Sequence, residues 1–287
     1  MKLIKSSVQN ITPTKYTLKD IKKQIEIAGR TCYKSEDKIT DDSCEEFVQR
    51  MINSGHMSML EHGTVYLTIP IEEDKEGFVY KNIINPYSTV IIKDNYAYVT
   101  TNYRVIVENE WEDYLRYLTD YPSEHARRST FKFVCDRGVS HELVRHRWMS
   151  FAQESTRYCN YTKDKFNNEL TYIIPVQMED KLPEGNYTYW DGDWCDLNKM
   201  CIQHACDGSI EDLFLTSLQC SEDYYDTFIG KGMKPQEARQ VLPNALKTEV
   251  IVTGFPSAWS DFIKLRTASN AHPDIKKLAN EITKYYR

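Results

Sequence analysis

The sequence predicts an α+β chain, with mixed helices around a mainly antiparallel sheet. Three observations carry this. Short runs of β-forming residues fall at 64–71, 89–99, 130–135 and 172–175. Apolar residues at helical spacing fill several stretches between them. The two kinds of segment intermix without the strand–helix–strand rhythm that a parallel sheet needs. A chain of 287 residues can build one large domain or two small ones. No repeat, low-complexity tract or linker divides it. One domain over 1–287 is expected, with elaborations at about 72–100 and 176–195.

In order, 1–20 reads as a strand and a turn, and 21–28 as a helix. Ser43 with Glu46 has the spacing of a capping box. Phe47, Val48, Met51 and Ile52 then give one apolar face, and Gly55 ends the helix. In 64–71, Val65, Leu67 and Ile69 alternate with Tyr66 and Thr68, as in a half-buried strand. Residues 89–99 hold two β runs around Lys93-Asp94-Asn95, a hairpin signal. Trp111, Tyr114, Leu115, Leu118 and Tyr121 suggest a helix over 109–121. Residues 130–135 form a strand, and Tyr172-Ile173-Ile174 a short one stopped by Pro175. Residues 176–195 are turn-rich. Helical pattern runs from about 196, breaks near Gly208 and resumes to about 229. Pro235 suits a first helical turn and Pro243 ends that helix. Ser257 can cap a helix carrying Trp259, Phe262, Ile263 and Arg266, and Ile275, Leu278 and Ile282 mark a last amphipathic one.

Composition sets limits. Hydrophobic residues at 41% and charged residues at 27% describe an ordinary globular chain. Its twenty tyrosines are read first as core filling. A formal net charge of −6 argues against gripping a long nucleic acid, though not against one local basic pocket. No apolar run is long enough to span a bilayer, and Met1-Lys2-Leu3-Ile4-Lys5 lacks a signal-peptide core, so the expectation is cytoplasmic, without membrane or nucleic-acid partners. Eight scattered cysteines are expected to be reduced thiols. Cys195, Cys201, His204 and Cys206 cluster loosely without a Cys-x-x-Cys pair, so no metal is expected.

The chemistry concentrates in 145–158, Arg-His-Arg-Trp-Met-Ser-Phe-Ala-Gln-Glu-Ser-Thr-Arg-Tyr. So many fixed donors are costly to leave unpaired, which suits a multiply charged ligand. Ser140 can cap a short helix through His141, Glu142, Leu143 and Val144; if it continues, Arg145 and Arg147 point to nearly opposite sides. In an extended segment Ser155 and Arg157 share a face, and a hydroxyl beside a guanidinium makes a phosphate clamp. His141-Glu142 with His146 is not a zinc-protease helix, because the histidines are five apart instead of four. Ser155 lacks a Gly-x-Ser-x-Gly elbow. Gly230-x-Gly232 lacks the third glycine of a dinucleotide fingerprint.

Arg145-His146-Arg147, seven residues and then Ser155 resembles the signature of flavin-dependent thymidylate synthases. Three more blocks follow that family's order: Gly55-His56 with Glu61-His62, Ala238-Arg239 with Leu242-Pro243, and Leu265-Arg266 with Ala271 and Ile275. Together they span about 28–280, far more specific than one short motif.

The resemblance implies the family's fold and its reaction, the reductive methylation of dUMP to dTMP. Methylenetetrahydrofolate would give the carbon, and FAD reduced by NAD(P)H the hydride. It implies FAD contacts at Ser58, Arg145, His146, Arg147, Gln153 and Asp261, with Glu61 supporting Ser58 and His56 at the folate entrance. It implies dUMP contacts at Glu142, Arg145, Gln153, Glu154, Ser155, Thr156, Arg157, Arg239 and Arg266, with Arg239 coming from a neighbouring subunit of a homotetramer that shares its active sites. Arg266 would act in catalysis, its permanent charge favouring the N3-deprotonated uracil and pushing electron density towards C5. No Pro-Cys pair is present to supply the nucleophile of other thymidylate synthases. The chain departs from the family pattern at Glu142 and Gln153, where glutamine and glutamate respectively occur in relatives, and at Asp261, Cys32, His272 and Pro273. A flavoenzyme transferring a hydroxymethyl unit, or a non-enzymatic nucleotide- or RNA-binding protein, would be the alternatives.

Overall fold

The computed structural model describes residues 1–74, 76–163, 166, 169–187 and 208–286. The cysteine–histidine cluster at 195–206 lies outside them. The strands are β1 (Lys2–Ile4), β2 (Ser7–Asn10), β3 (Thr64–Pro70), β4 (Thr89–Lys93), β5 (Tyr96–Asn102), β6 (Ser129–Asp136), β7 (Ser150–Gln153), β8 (Thr171–Ile173), β9 (Gly185–Asn186) and β10 (Lys247–Gly254). The helices are α1 (Leu18–Tyr33), α2 (Ser43–Asn53), α3 (Phe78–Ile83), α4 (Tyr103–Glu108), α5 (Arg137–Leu143), α6 (Ile210–Gly230), α7 (Pro235–Ala238), α8 (Pro256–Arg266) and α9 (Pro273–Ile282). This is the α+β class that the sequence predicts.

The principal sheet is antiparallel, in the order β2-β6-β10-β7. Strand alternation divides its residues between two faces. Phe131, Phe133, Cys135, Val250 and Val252 pack beneath α8 and α9, against Trp259, Phe262, Ile275, Leu278 and Ile282. Ala152 and Ile251 face the other way, towards Ala28 of α1. β10 is missing from the sequence reading, although Thr248, Val250, Ile251, Val252 and Thr253 are β-branched and Gly254 ends the run. A second antiparallel sheet, β3-β5-β4, packs on α1 and α2 through Ile21, Ile25, Phe47, Val65, Leu67 and Val99. A third, β8-β1-β9, pairs β1 parallel to β8 and antiparallel to β9. Among the described residues no helix is long and apolar enough to cross a membrane.

Several local expectations are corrected. α1 outruns the predicted 21–28, because Thr17 and Asp20 form a capping box ahead of it and Lys34 closes it in a left-handed conformation. Ser43 does not cap α2; its hydroxyl donates to Glu26 Oε2 (2.8 Å). β3 is almost wholly buried, not half-buried, since both of its faces are covered. The hairpin forms with Asp94 and Asn95 at φ of 51° and 64°, the conformation of a primed two-residue turn. β5 is the middle strand of its sheet. The helix expected over 109–121 is instead α4, capped by Asn102, followed by a single 3₁₀ stretch at Glu112–Tyr117. Glu110 at φ 58° interrupts the helix, and Leu118 is drawn into a bridge with Leu67. Ser257 lies inside α8, which starts at Pro256.

Trp259 is fully buried and donates from its indole to Ser129 O (3.2 Å). Trp259→Ala is expected to cost about 3–5 kcal/mol in denaturant unfolding, because it leaves a large cavity between α8 and the sheet. A loss under 1 kcal/mol would show that this layer does not pack as described.

Candidate active site

β6 leads straight into α5, and Asp136 caps that helix by accepting from Val139 N (2.8 Å). Ser140, expected as the cap, lies inside the helix with its hydroxyl donating to Arg137 O (2.8 Å). α5 stops at Leu143, so Arg145, His146 and Arg147 form a tight turn, not the continued helix that would set the arginines on opposite sides. Arg145, Arg147 and Trp148 are exposed on it. His146 turns inward, edge-on to Phe262 at 5.0 Å between ring centres.

That turn meets the end of α8. Arg266 donates from Nε to His146 Nε2 (3.1 Å), from Nη1 to the Glu142 carboxylate and from Nη2 to Glu142 O (2.9 Å). Three of the five guanidinium N–H bonds are therefore committed, and two remain for a ligand. Burial, and then the Arg266 charge, pull the His146 pKa down to about 4, against an opposing pull from Asp261. The imidazole is neutral at pH 7 and accepts at Nε2, so its proton sits on Nδ1. Glu142 is the counter-ion of Arg266. Asp261 is exposed on α8, near enough to act on His146.

The other end of β7 is built differently. Gln153 donates from Nε2 to Ser140 Oγ (2.9 Å) and Thr248 Oγ1 (3.2 Å). Glu154 is 2% exposed, accepting from Lys247 Nζ (2.9 Å) and the Tyr161 hydroxyl (3.2 Å). Ser155 N donates to Cys32 O (3.0 Å), and Ser155 Oγ accepts from Arg157 N (3.3 Å). The backbone here is a turn, so the extended face expected for Ser155 and Arg157 does not form. Arg157 lies over the Tyr158 ring, 5.6 Å from its centre. Arg239 Nη1 donates to Thr156 Oγ1 (3.2 Å), which joins the Ala-Arg block to the signature.

The early block arrives at the same end. A cavity of about 460 Å³ is lined by Tyr33, His56, Ser58, Met59, Arg104 and Tyr158, among others. The Tyr33 hydroxyl bonds His56 Nδ1 (3.1 Å), and the Tyr33 ring lies 5.3 Å from that of Tyr158. Glu61 accepts from Arg104 Nη1 (2.8 Å), so it braces this wall. Arg128, which the sequence reading missed, donates to Glu61 O (3.0 Å), Thr64 Oγ1 (3.2 Å) and Ser150 Oγ (3.5 Å), tying the early block to β7. A second cavity of about 430 Å³ has Lys34, Glu154, Tyr161 and Lys247 in its wall. Lys247 and Glu249 were also missed; alternate charges in a β-branched run were the available signal.

Arg266 meets the turn before β7, and Arg239 and Arg157 lie after it. The first and last residues of β7 are about 10 Å apart along the strand.

Residues 82–287 match the family described as thymidylate synthase complementing protein. The chain belongs to that family. The match contains the signature, Arg239 and Arg266 but begins after the Gly-His…Glu-His block, whose link to the site is spatial. Proteins named flavin-dependent thymidylate synthase are similar. The one from Mycobacterium tuberculosis (strain H37Rv) is 29% identical over 174 residues, and that of Mycobacterium marinum 31% identical over 175. Each match covers 58% of this chain and 62% of the relative, so the chain spans under two thirds of the length of these members. A crystal structure of the UMP/dUMP methylase PolB from Streptomyces cacaoi bound with 5-Br dUMP is 16% identical, at TM-score 0.45 over 100% of this chain and 92% of that one.

The His146 environment is testable by NMR titration. Its midpoint is expected near 4, and Arg266→Met should raise it while leaving it below 6.5, because burial is the larger cause. Since the folded pKa is depressed, the associated stability is complete above about 6.5 and is lost as pH falls through 4. A midpoint of 6.5 in the wild type would contradict this arrangement.

Proposed function

We propose that this family member is a flavin-dependent thymidylate synthase, converting dUMP to dTMP with methylenetetrahydrofolate as carbon donor. The observation that supports the reading best is the Arg266 guanidinium, fixed by Glu142 and a neutral His146 with two N–H bonds unspent. A planar anion such as an N3-deprotonated uracil matches that fork. Arg266 is then the catalytic residue, stabilising charge on the ring as it develops. Ser155, Thr156, Arg157 and Arg239 would hold the phosphate, and Gln153 and Arg145 would approach the base. Glu142 and Glu154 would serve as braces.

The residues fit FAD. Arg145 and Arg147 are exposed cations with no carboxylate bonded to them among the described residues, as a pyrophosphate requires. The cavity beside Tyr33, His56, Ser58 and Tyr158 offers aromatic faces and hydroxyls to a planar group. FAD held there would supply the hydride once reduced by NAD(P)H. Ser58, His146, Gln153 and Asp261 would contribute to holding it, Glu61 would support the wall, and His56 would stand where folate enters.

Because β7 separates Arg266 from Arg239, we propose that the nucleotide sits between subunits of a homotetramer, with one group of arginines from each neighbour. A cytoplasmic protein without membrane or nucleic-acid partners fits this reading.

Reconstituted with FAD and given dUMP, methylenetetrahydrofolate and NADPH, the protein is expected to release dTMP, identified by mass. Arg266→Met should lower kcat by about 10²–10³. A hydroxymethyl product, or protein that never takes up flavin, would refute the reading.

A further inference from the structure

Strand alternation puts Lys132 of β6, Lys247 and Glu249 of β10 and Glu154 after β7 on the α1 side of the principal sheet. Lys34, at the left-handed end of α1, joins them there. Glu249 takes Lys34 and Lys247 at 2.5 Å on one carboxylate oxygen and Lys132 at 2.5 Å on the other. Lys247 also reaches Glu154 at 2.9 Å, and Tyr161 closes the second oxygen of that carboxylate. An apolar cluster of the same volume would often be as stable as such a buried ionic one. What ions add is direction.

The direction falls on the loop after β7. Glu154 N donates to Glu249 O (2.8 Å), and Ser155 N to Cys32 O, two residues before Lys34. The end of α1, β10 and the 154–157 loop are thus bound by the same charges, and Thr156 on that loop carries Arg239. We infer that Lys247, with Glu154 and Glu249, is a positioning residue that sets the loop so that Ser155, Thr156 and Arg239 recognise the phosphate of a nucleoside monophosphate. This rests on the nucleotide reading above. The described partners of Lys247 and Glu249 are protein side chains, and the group meets the 154–157 loop through Glu154, so its effect is expected on the phosphate.

The discriminating quantity is the ratio of affinities for dUMP and for deoxyuridine, which lacks the phosphate. It is read by calorimetry on the flavin-loaded protein. Lys247→Met should reduce that ratio about tenfold or more, the worth of a lost charged hydrogen bond, with deoxyuridine affinity unchanged. The KM for methylenetetrahydrofolate should not move. Lys247→Arg should restore most of the ratio. The double variant Glu154→Gln with Lys247→Met, which leaves no unpaired Glu154, should fold and still show the reduced ratio. A fall in Tm with the ratio intact in both variants would reduce the network to a structural one and overturn the inference. A wild type with no affinity for dUMP would overturn the nucleotide reading as well.

Discussion

Four register pairs, from Val250↔Gln153 to Thr253↔Ser150, hold the middle of the signature as an edge strand on β10. That short ladder places both ends of the signature. The turn before it lies over the end of α8, where His146 and Glu142 take Arg266. The loop after it lies against the end of α1 and the cavity of the early block. A slip of one residue would exchange the faces, sending Ala152 and Glu154 towards the Trp259–Phe262 layer and Phe151 and Gln153 towards α1. The apolar pattern of β10, packed on both sides, forbids it.

Two electrostatic arrangements flank the strand; pairing opposes burial in one and the bonded cation adds to it in the other. For Glu249, burial pushes the carboxyl up, yet Lys247 and Lys34 outweigh it and hold the group well below the usual carboxylate range. For Lys247, burial acts to lower the pKa, but Glu154 and Glu249 prevail and push it up to about 12. At His146 the opposing pull of Asp261 is the smaller one, so burial and Arg266 prevail and the ring stays neutral. The first arrangement keeps charges fixed; the second leaves a guanidinium anchored with donors to spare.

The density of donors marks the 145–158 stretch, and the blocks around His56 and Arg239 do reach its far end. Local backbone was harder. Ser43, Ser140 and Ser257 each look like caps, and none is, because Asp42, Asp136 and Phe255 stand one to four residues earlier and the helices start there. Whether a serine caps depends on where the preceding element delivers the chain. β10 went unread because its polar residues, Lys247, Thr248 and Glu249, obscure a strand buried on both faces. With it went Lys247 and Glu249, whose partners are distant in sequence. Arg128 and Arg104 were equally silent, since nothing local marks a guanidinium that binds a carbonyl or a carboxylate more than forty residues away.

The central claim is that Arg266 and Arg239, on opposite sides of β7, act on one nucleotide supplied by different chains. Subunit complementation tests it most directly. Chains carrying Arg266→Met and chains carrying Arg239→Met, each nearly inactive alone, are co-expressed and purified as mixed assemblies. Activity well above that of either parent is the predicted result, because some interfaces then hold both intact arginines. Mixed assemblies that form but stay as inactive as their parents would contradict the account.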